Sequence, residues 1–242
     1  MTRLLLRVLI LMESKFASVE ENLKRINFNL NEAAARYRKP DEKIRLMAVT
    51  KTVEPEFINH AVSLGVDLLG ENRVQEYQSK MEQYDKSAEV HFIGHLQSNK
   101  VKYIINSVKM IQSVDSIKLA NEINRLASEH SLTMDVLCEV NIGGEESKSG
   151  VPASQAEELV RQMAELKNIR VCGLMTIPPP SDSDVFLAKM QELFIGISEK
   201  NINNVNMDML SMGMSGDYVN AVKYGSTLVR IGTGLFGNRI YK

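Results

Sequence analysis

Eight short apolar runs, each followed by an amphipathic stretch or a glycine-rich loop, fill the chain from Arg45 onward. This alternation limits the fold more than any other feature. The runs are Arg45–Thr50, Asp67–Glu71, Val90–His95, Met110–Val114, Met134–Asn141, Arg170–Ile177, Met207–Met212 and Leu228–Ile231. Between them, apolar residues recur at helical spacing over Pro55–Leu64, Val74–Tyr84, Ser98–Asn106, Ser116–His130, Pro152–Leu166, Ser183–Lys200 and Asp217–Tyr224. Strands that are continuous apolar runs are buried on both faces, as in a parallel sheet covered by helices. Eight such units predict closure into a single (β/α)8 TIM barrel, an α/β fold. The span 45–237 is close to the lower size of roughly 200 residues for such a barrel. The alternative, an open doubly wound sheet, is expected to carry a glycine-rich turn after its first strand, and there this chain has Lys51-Thr-Val-Glu-Pro55.

Ahead of the barrel, Phe16, Val19, Leu23, Ile26 and Leu30 recur at three- and four-residue steps, which predicts an extra helix over Ser14–Arg38 covering one end of the barrel. Residues 1–13 read as an N-terminal extension and residues 14–242 as the barrel. The extension has a basic residue and a short apolar run, but Arg7 interrupts the run, no small-residue cleavage site follows closely, and it is too short to span a bilayer. Met12 is an alternative start. With 44% hydrophobic and 24% charged residues among 242, the chain has material for one large core. A formal net charge of -1 provides no general basic field for nucleic acid or a membrane surface, while leaving room for a local phosphate site. Cys138 and Cys172 each lie inside an apolar run and are expected as buried free thiols in a reducing cytoplasm. His60 and His130 fall within helical patterns, where packing or surface roles outweigh metal binding, and no metal site is expected. No coiled-coil seam asks for a dimer, so a monomer is expected.

In barrels of this kind the active site lies at the C-terminal ends of the strands, and phosphate is often held by the loops after strands seven and eight. Those loops are Ser211-Met-Gly-Met-Ser-Gly-Asp217 and Arg230-Ile-Gly-Thr-Gly-Leu-Phe-Gly237. Their glycines let backbone N–H groups converge on an anion, and Ser211, Ser215 and Thr233 add hydroxyl donors. The plain alternative is that the glycines only form tight barrel corners. The first strand ends at Lys51. A lysine there, with a phosphate cradle at the other end of the chain, suggests a cofactor bearing both an aldehyde and a phosphate, as pyridoxal 5'-phosphate does. Its aldehyde condenses with a neutral amine, which partial burial or a nearby cation such as Arg230 would favour. Arg230, permanently protonated on the last strand, could face the pyridine nitrogen and weaken the ring as an electron sink. Its alternative role is to pair with a buried carboxylate, Glu139 or Glu71. Met212 and Met214 are expected to line the pocket, Ser98 reads as a helix N-cap, and Glu145 and Glu146 as solvated loop residues.

Seven segments occur together and in order: Met47-Ala-Val-Thr-Lys51, Gly70-Glu-Asn-Arg-Val-Gln-Glu76, His91-Phe-Ile-Gly-His-Leu-Gln-Ser-Asn-Lys100, Gly144-Glu-Glu-Ser-Lys-Ser-Gly150, Gly173-Leu-Met-Thr-Ile177 and the two glycine loops. On these the chain resembles the pyridoxal-phosphate homeostasis protein family, whose fold is like the N-terminal barrel of alanine racemase, from about residue 14 to the C-terminus. The resemblance implies that Lys51 holds the cofactor as a Schiff base, that Arg230 faces the ring nitrogen, that Ser211, Gly232 and Thr233 contact the phosphate, and that Asn72 neighbours the ring. It implies a role in vitamin B6 homeostasis without an established reaction, with PLP-dependent apoenzymes as possible recipients. Gly234 stands where a commoner form of the motif has alanine. The rival is a PLP-dependent amino-acid racemase or a related enzyme. Racemisation needs a second acid/base on the opposite face, for which Tyr218, Tyr224 and Tyr241 have no evident claim. No catalytic residue is therefore assigned.

Overall fold

The computed structural model describes the backbone of residues 3–238 and the side chains of residues 12–238. The ends of the chain, and the side chains of most of the expected 1–13 extension, lie outside the described residues. Among the described residues there are nine parallel strands: β1 (Arg45–Val49), β2 (Leu68–Glu71), β3 (Glu89–Phe92), β4 (Met110–Val114), β5 (Met134–Asn141), β6 (Val151–Pro152), β7 (Ile169–Met175), β8 (Val205–Ser211) and β9 (Leu228–Ile231). Their order is β4-β3-β2-β1-β9-β8-β7-β5, and a β4–β5 pairing closes the ring, so the eight expected strands form the expected barrel. The two-residue β6 adds to β5 outside the ring. Sequence periodicity could not register so short an element.

The first helix, α1 (Arg3–Tyr37), runs without a break through the expected start at Ser14. It buries Val19, Leu23, Ile26, Leu30 and Ala33, one stripe at steps of three and four. Its neighbours are α2 (Pro55–Ser63), α7 (Tyr218–Lys223) and α8 (Thr233–Phe236). It therefore lies in the outer ring and does not cover one end of the barrel: α8, a single turn, is too short to close the gap between β9 and β1, and α1 fills it. The ring is continued by α3 (Val74–Lys80), α4 (Ile117–Glu129), α5 (Ala153–Ala164) and α6 (Ser183–Ser198). The expected helix over Ser98–Asn106 is instead a 3-10 helix, Ser98–Tyr103. Its cap position is held by Gln97 with no side-chain bond, so Ser98 does not cap it. Ser116 does cap α4, accepting from Leu119 N at 3.3 Å.

Alternation along the strands divides the core in two. Ala48, Leu69, Phe92, Ile111, Val136 and Val229 face the helices. Met47, Leu68, Leu228, Met110, Leu137 and Cys172 fill the lumen, with Met209 touching both halves. Cys138 and Cys172 are buried free thiols, as expected. Burial raises both, Cys172 to about 11, which leaves them protonated and inert at neutral pH. Among the described residues no helix is long and apolar enough to cross a membrane.

Candidate functional site

Lys51 is half-buried, two residues beyond the end of β1. The backbone on either side of it is fixed. Before it, Thr50 N donates to Gly70 O at 3.1 Å, and Thr50 Oγ1 donates to Glu71 Oε1 at 2.5 Å. After it, Thr52 adopts φ +61, a conformation that costs a non-glycine residue about 1–3 kcal/mol. Glu76 of α3 accepts from Thr52 N and pairs with Lys80, whose Nζ in turn donates to Thr50 O at 3.5 Å. One helical i,i+4 pair thus holds both flanks of Lys51.

Arg230 is 3% exposed in the lumen. Its Nη1 donates to Ser211 Oγ at 2.6 Å, and its Nη2 donates to Thr176 O at 2.7 Å. Because arginine only donates, the Ser211 hydroxyl proton must go elsewhere, and it goes to Gln112 Oε1 at 2.7 Å. With Oε1 occupied, Gln112 Nε2 donates to His91 Nδ1 at 2.8 Å, which places the His91 proton on Nε2. A one-way donor chain therefore crosses the barrel from β9 through β8 and β4 to β3. Burial lowers Arg230 to about 10, opposed by the carboxylates of Glu139 and Asp217, so it stays charged at neutral pH. No carboxylate lies within ion-pair distance of Arg230 among the described residues. Glu71 faces the outer side of the sheet, where Tyr84 OH and Thr50 donate to it. The ion-pair role considered for Arg230 is thus not the one it has.

The two glycine loops meet. Ser215 Oγ accepts from Gly234 N at 2.9 Å, and Asp217 Oδ1 accepts from Met214 N at 2.6 Å. Gly213 turns at φ +94, and a Cβ there would lie 2.5 Å from Ala221 Cβ, so only glycine lets the loop fold onto α7. Gly232 and Met214 are partly exposed, and Thr233 and Ser215 are exposed. Two expected residues stand elsewhere. The Ser211 hydroxyl is fully buried and engaged by Gln112 and Arg230, so its side chain positions Arg230 and the loop surface is left to Ser215. Met212 is fully buried in the layer between barrel and helices, because it follows the inward-facing Ser211 and so points outward. The register Met47↔Arg230 and Ala48↔Ile231 brings the Lys51 loop beside the Gly232 loop.

Next to them, a cleft of about 240 Å³ is lined by Asn72, Gly94, His95, Glu139, Lys148 and Ser149, among others. Gly94 packs so closely that a Cβ would stand 2.0 Å from Asn72 O. His95 Nδ1 lies 3.3 Å from Ser149 Oγ and 3.5 Å from Asp115 Oδ2. Within the 143–150 loop Glu146 is exposed, as expected, while Glu145 pairs with Lys148 at 2.5 Å and its carbonyl accepts from Asn141 Nδ2 at 2.8 Å. Of the residues that line this cleft, Asn72 and Glu139 each have a buried acceptor, Oδ1 and Oε2, with no hydrogen-bond partner. Sequence reading missed Gln112 and His91 as members of the site, and Glu139 as a lining residue. An inward-facing polar residue in an apolar strand was the available signal.

Burial and the Asp115 carboxylate raise Glu139 to about 7 against the pull of Arg230, while burial and the charges of Arg45 and Lys109 lower His91 to about 3. The two act on stability with opposite sign. The Glu139 contribution is complete below its ordinary 4.5 and is lost as pH rises through 7. The His91 contribution is complete above its ordinary 6.5 and is lost as pH falls toward 3. Between pH 4.5 and 6.5 they offset one another. Glu139→Gln leaves the His91 contribution unopposed. Relative to the parent, the variant should lose stability on acidification through that window by up to about 1.4 kcal/mol per pH unit. Denaturant titrations at several pH values measure the difference, and parallel profiles would refute it.

Known proteins share this fold. The family model described as the alanine racemase N-terminal domain matches residues 22–239. A pyridoxal phosphate homeostasis protein of Aquifex aeolicus (strain VF5) is 43% identical over 226 residues, covering 91% of this chain and 98% of that protein. The crystal structure of an unknown protein from Bifidobacterium adolescentis is 32% identical with a TM-score of 0.85, covering 92% of this chain and 96% of that one. PipY of Synechococcus elongatus PCC7942, solved with PLP bound, is 27% identical with a TM-score of 0.77, covering 90% and 100%.

Proposed function

This chain belongs to the pyridoxal phosphate homeostasis protein family, and on that premise we propose that it binds pyridoxal 5'-phosphate through a Schiff base to Lys51, for supply or buffering of the cofactor. The observation that carries the reading is the β1–β9 register, which brings the Lys51 loop beside the Gly232 loop, with Arg230 beneath on the adjoining strand. The donor set suits the group: one amine, one buried guanidinium, and two loops whose N–H groups and Ser215 and Thr233 hydroxyls are offered at one mouth. When bound, the cofactor supplies an aldehyde that captures amines and a ring that withdraws electrons. Lys51 anchors it, Arg230 faces the ring nitrogen, Asn72 neighbours the ring, and Gly232, Thr233 and Ser215 take the phosphate. Arg230 keeps the ring nitrogen unprotonated, which favours storage over carbanion chemistry. The barrel acts as a cytoplasmic monomer that can pass its cofactor to PLP-dependent apoenzymes.

The test is incubation with pyridoxal phosphate, borohydride reduction and peptide mapping by mass spectrometry. A single adduct on Lys51 supports the reading, and label scattered over surface lysines removes it. Arg230→Gln should shift the absorbance of the bound cofactor or weaken its binding. It should cost about 1–3 kcal/mol in stability, for the acceptors left at Ser211 and Thr176. Unchanged absorbance and affinity would detach Arg230 from the ring.

A further inference from the structure

The cleft that Asn72 and Glu139 line holds two buried acceptors that none of its own donors reaches. Glu139 is 6% exposed, and its Oε2 is a buried atom with no hydrogen-bond partner, as is Asn72 Oδ1. Both residues line the same cleft of about 240 Å³. A buried acceptor left unmade costs about 1–3 kcal/mol, more when it is charged, so the cleft is stabilised by whatever brings N–H or O–H groups to these two atoms. The charges that face Glu139 narrow the choice. Asp115, at the end of β4, repels its ionised form. Arg230 attracts it, but directs Nη1 to Ser211 and Nη2 to Thr176. The lysine of the lining has a partner of its own, Lys148 in Glu145. A cation is therefore favoured. Among the described residues no group of three His, Cys, Asp or Glu could hold a metal ion, so the cation is an organic one with several donors.

We propose that this cleft binds a small primary ammonium group, with Glu139 Oε2 and Asn72 Oδ1 as its acceptors. Three N–H donors on one compact charge satisfy two orphan acceptors at once, which a hydroxyl cannot do. The ligand is a free amino acid or a simple amine, both of which present this group. Asn72 is shared with the proposed cofactor site, so titration without and with the cofactor separates this inference from that reading. Glu139 also sets a pH signature. It must be ionised to hold the cation, so affinity rises as pH climbs toward 7 and levels off above it.

Calorimetric titration of the full chain, without and with pyridoxal phosphate, tests this with three probes: ethylammonium chloride, L-alanine and sodium acetate. Ethylammonium should bind, with affinity rising by up to about tenfold per pH unit below pH 7. Glu139→Gln should lose about tenfold or more, stay folded at pH 7 and remove the pH slope. Binding of alanine as well identifies the amino-acid class, and ethylammonium alone identifies a simple amine. Either supports the proposal. Failure of ethylammonium to bind the cofactor-free chain, binding of acetate in its place, or equal affinity in Glu139→Gln overturns it. Amine binding without a Lys51 adduct would instead overturn the cofactor assignment and leave this inference standing.

Discussion

Lys51→Ala should abolish the reducible cofactor adduct proposed for this residue and leave the barrel folded. The loss should be complete, because an alanine methyl cannot condense with an aldehyde. Thr52, Glu76 and Lys80 fix the backbone on both sides of residue 51 through main-chain atoms, so the loop keeps its shape when the side chain is removed. Lys51 is half-buried and lies outside the hydrophobic core, so the change in stability should stay within about 1 kcal/mol. The measurement is borohydride-fixed label per chain, with a melting curve as control. Label retained at the parental level would assign the anchor to another residue. A collapsed melting curve would make Lys51 a structural residue.

Gly94→Ala should have the larger effect on stability. The added methyl would lie 2.0 Å from Asn72 O, 2.7 Å from its carbonyl carbon and 2.8 Å from its Cα. These are backbone atoms at the end of β2, which cannot swing aside as a flexible side chain would. The strand end must move, at a cost of about 1–3 kcal/mol or more by overpacking. A domain of this size would melt about 2–4 °C lower for each kcal/mol. Asn72 moves with its backbone, so cofactor affinity should fall by about tenfold or more. Thermal melts and a cofactor titration check the two together. A variant with parental stability would mean that β2 and β3 separate more easily than the packing at Gly94 indicates. Lost stability with parental affinity would remove Asn72 from the binding surface.

The eight strands were legible because a barrel strand is apolar on both faces, and that pattern survives in any run of five residues. The loops after β8 and β9 were legible because glycine is costly where it is not needed. What escaped was direction. Ser211 and Met212 adjoin the same loop, yet one faces the lumen and the other the helices, and only pairing with β7 and β9 decides which. The chain from Arg230 to His91 joins residues as far apart as Ser211 and Gln112, 99 positions, and no local pattern reports such a bond. The capping role expected of Ser98 failed for a local reason: the segment tightens into a 3-10 helix, and its cap position falls one residue earlier. The outer-ring place of α1 escaped because a helical stripe tells which face is buried and not what buries it.

Arg230 stands on the last strand of the barrel in chain order, and β1 has only β2 beside it until β9 arrives. A nascent chain that has already displayed Lys51 therefore has neither the guanidinium nor the Gly232 loop, and its first strand is an open edge. Contacts between such distant parts of a sequence form late and slowly. The amine is made early and its setting last, so a half-synthesised chain offers a lysine like any other, and the setting proposed to hold the cofactor is assembled only as the ring closes.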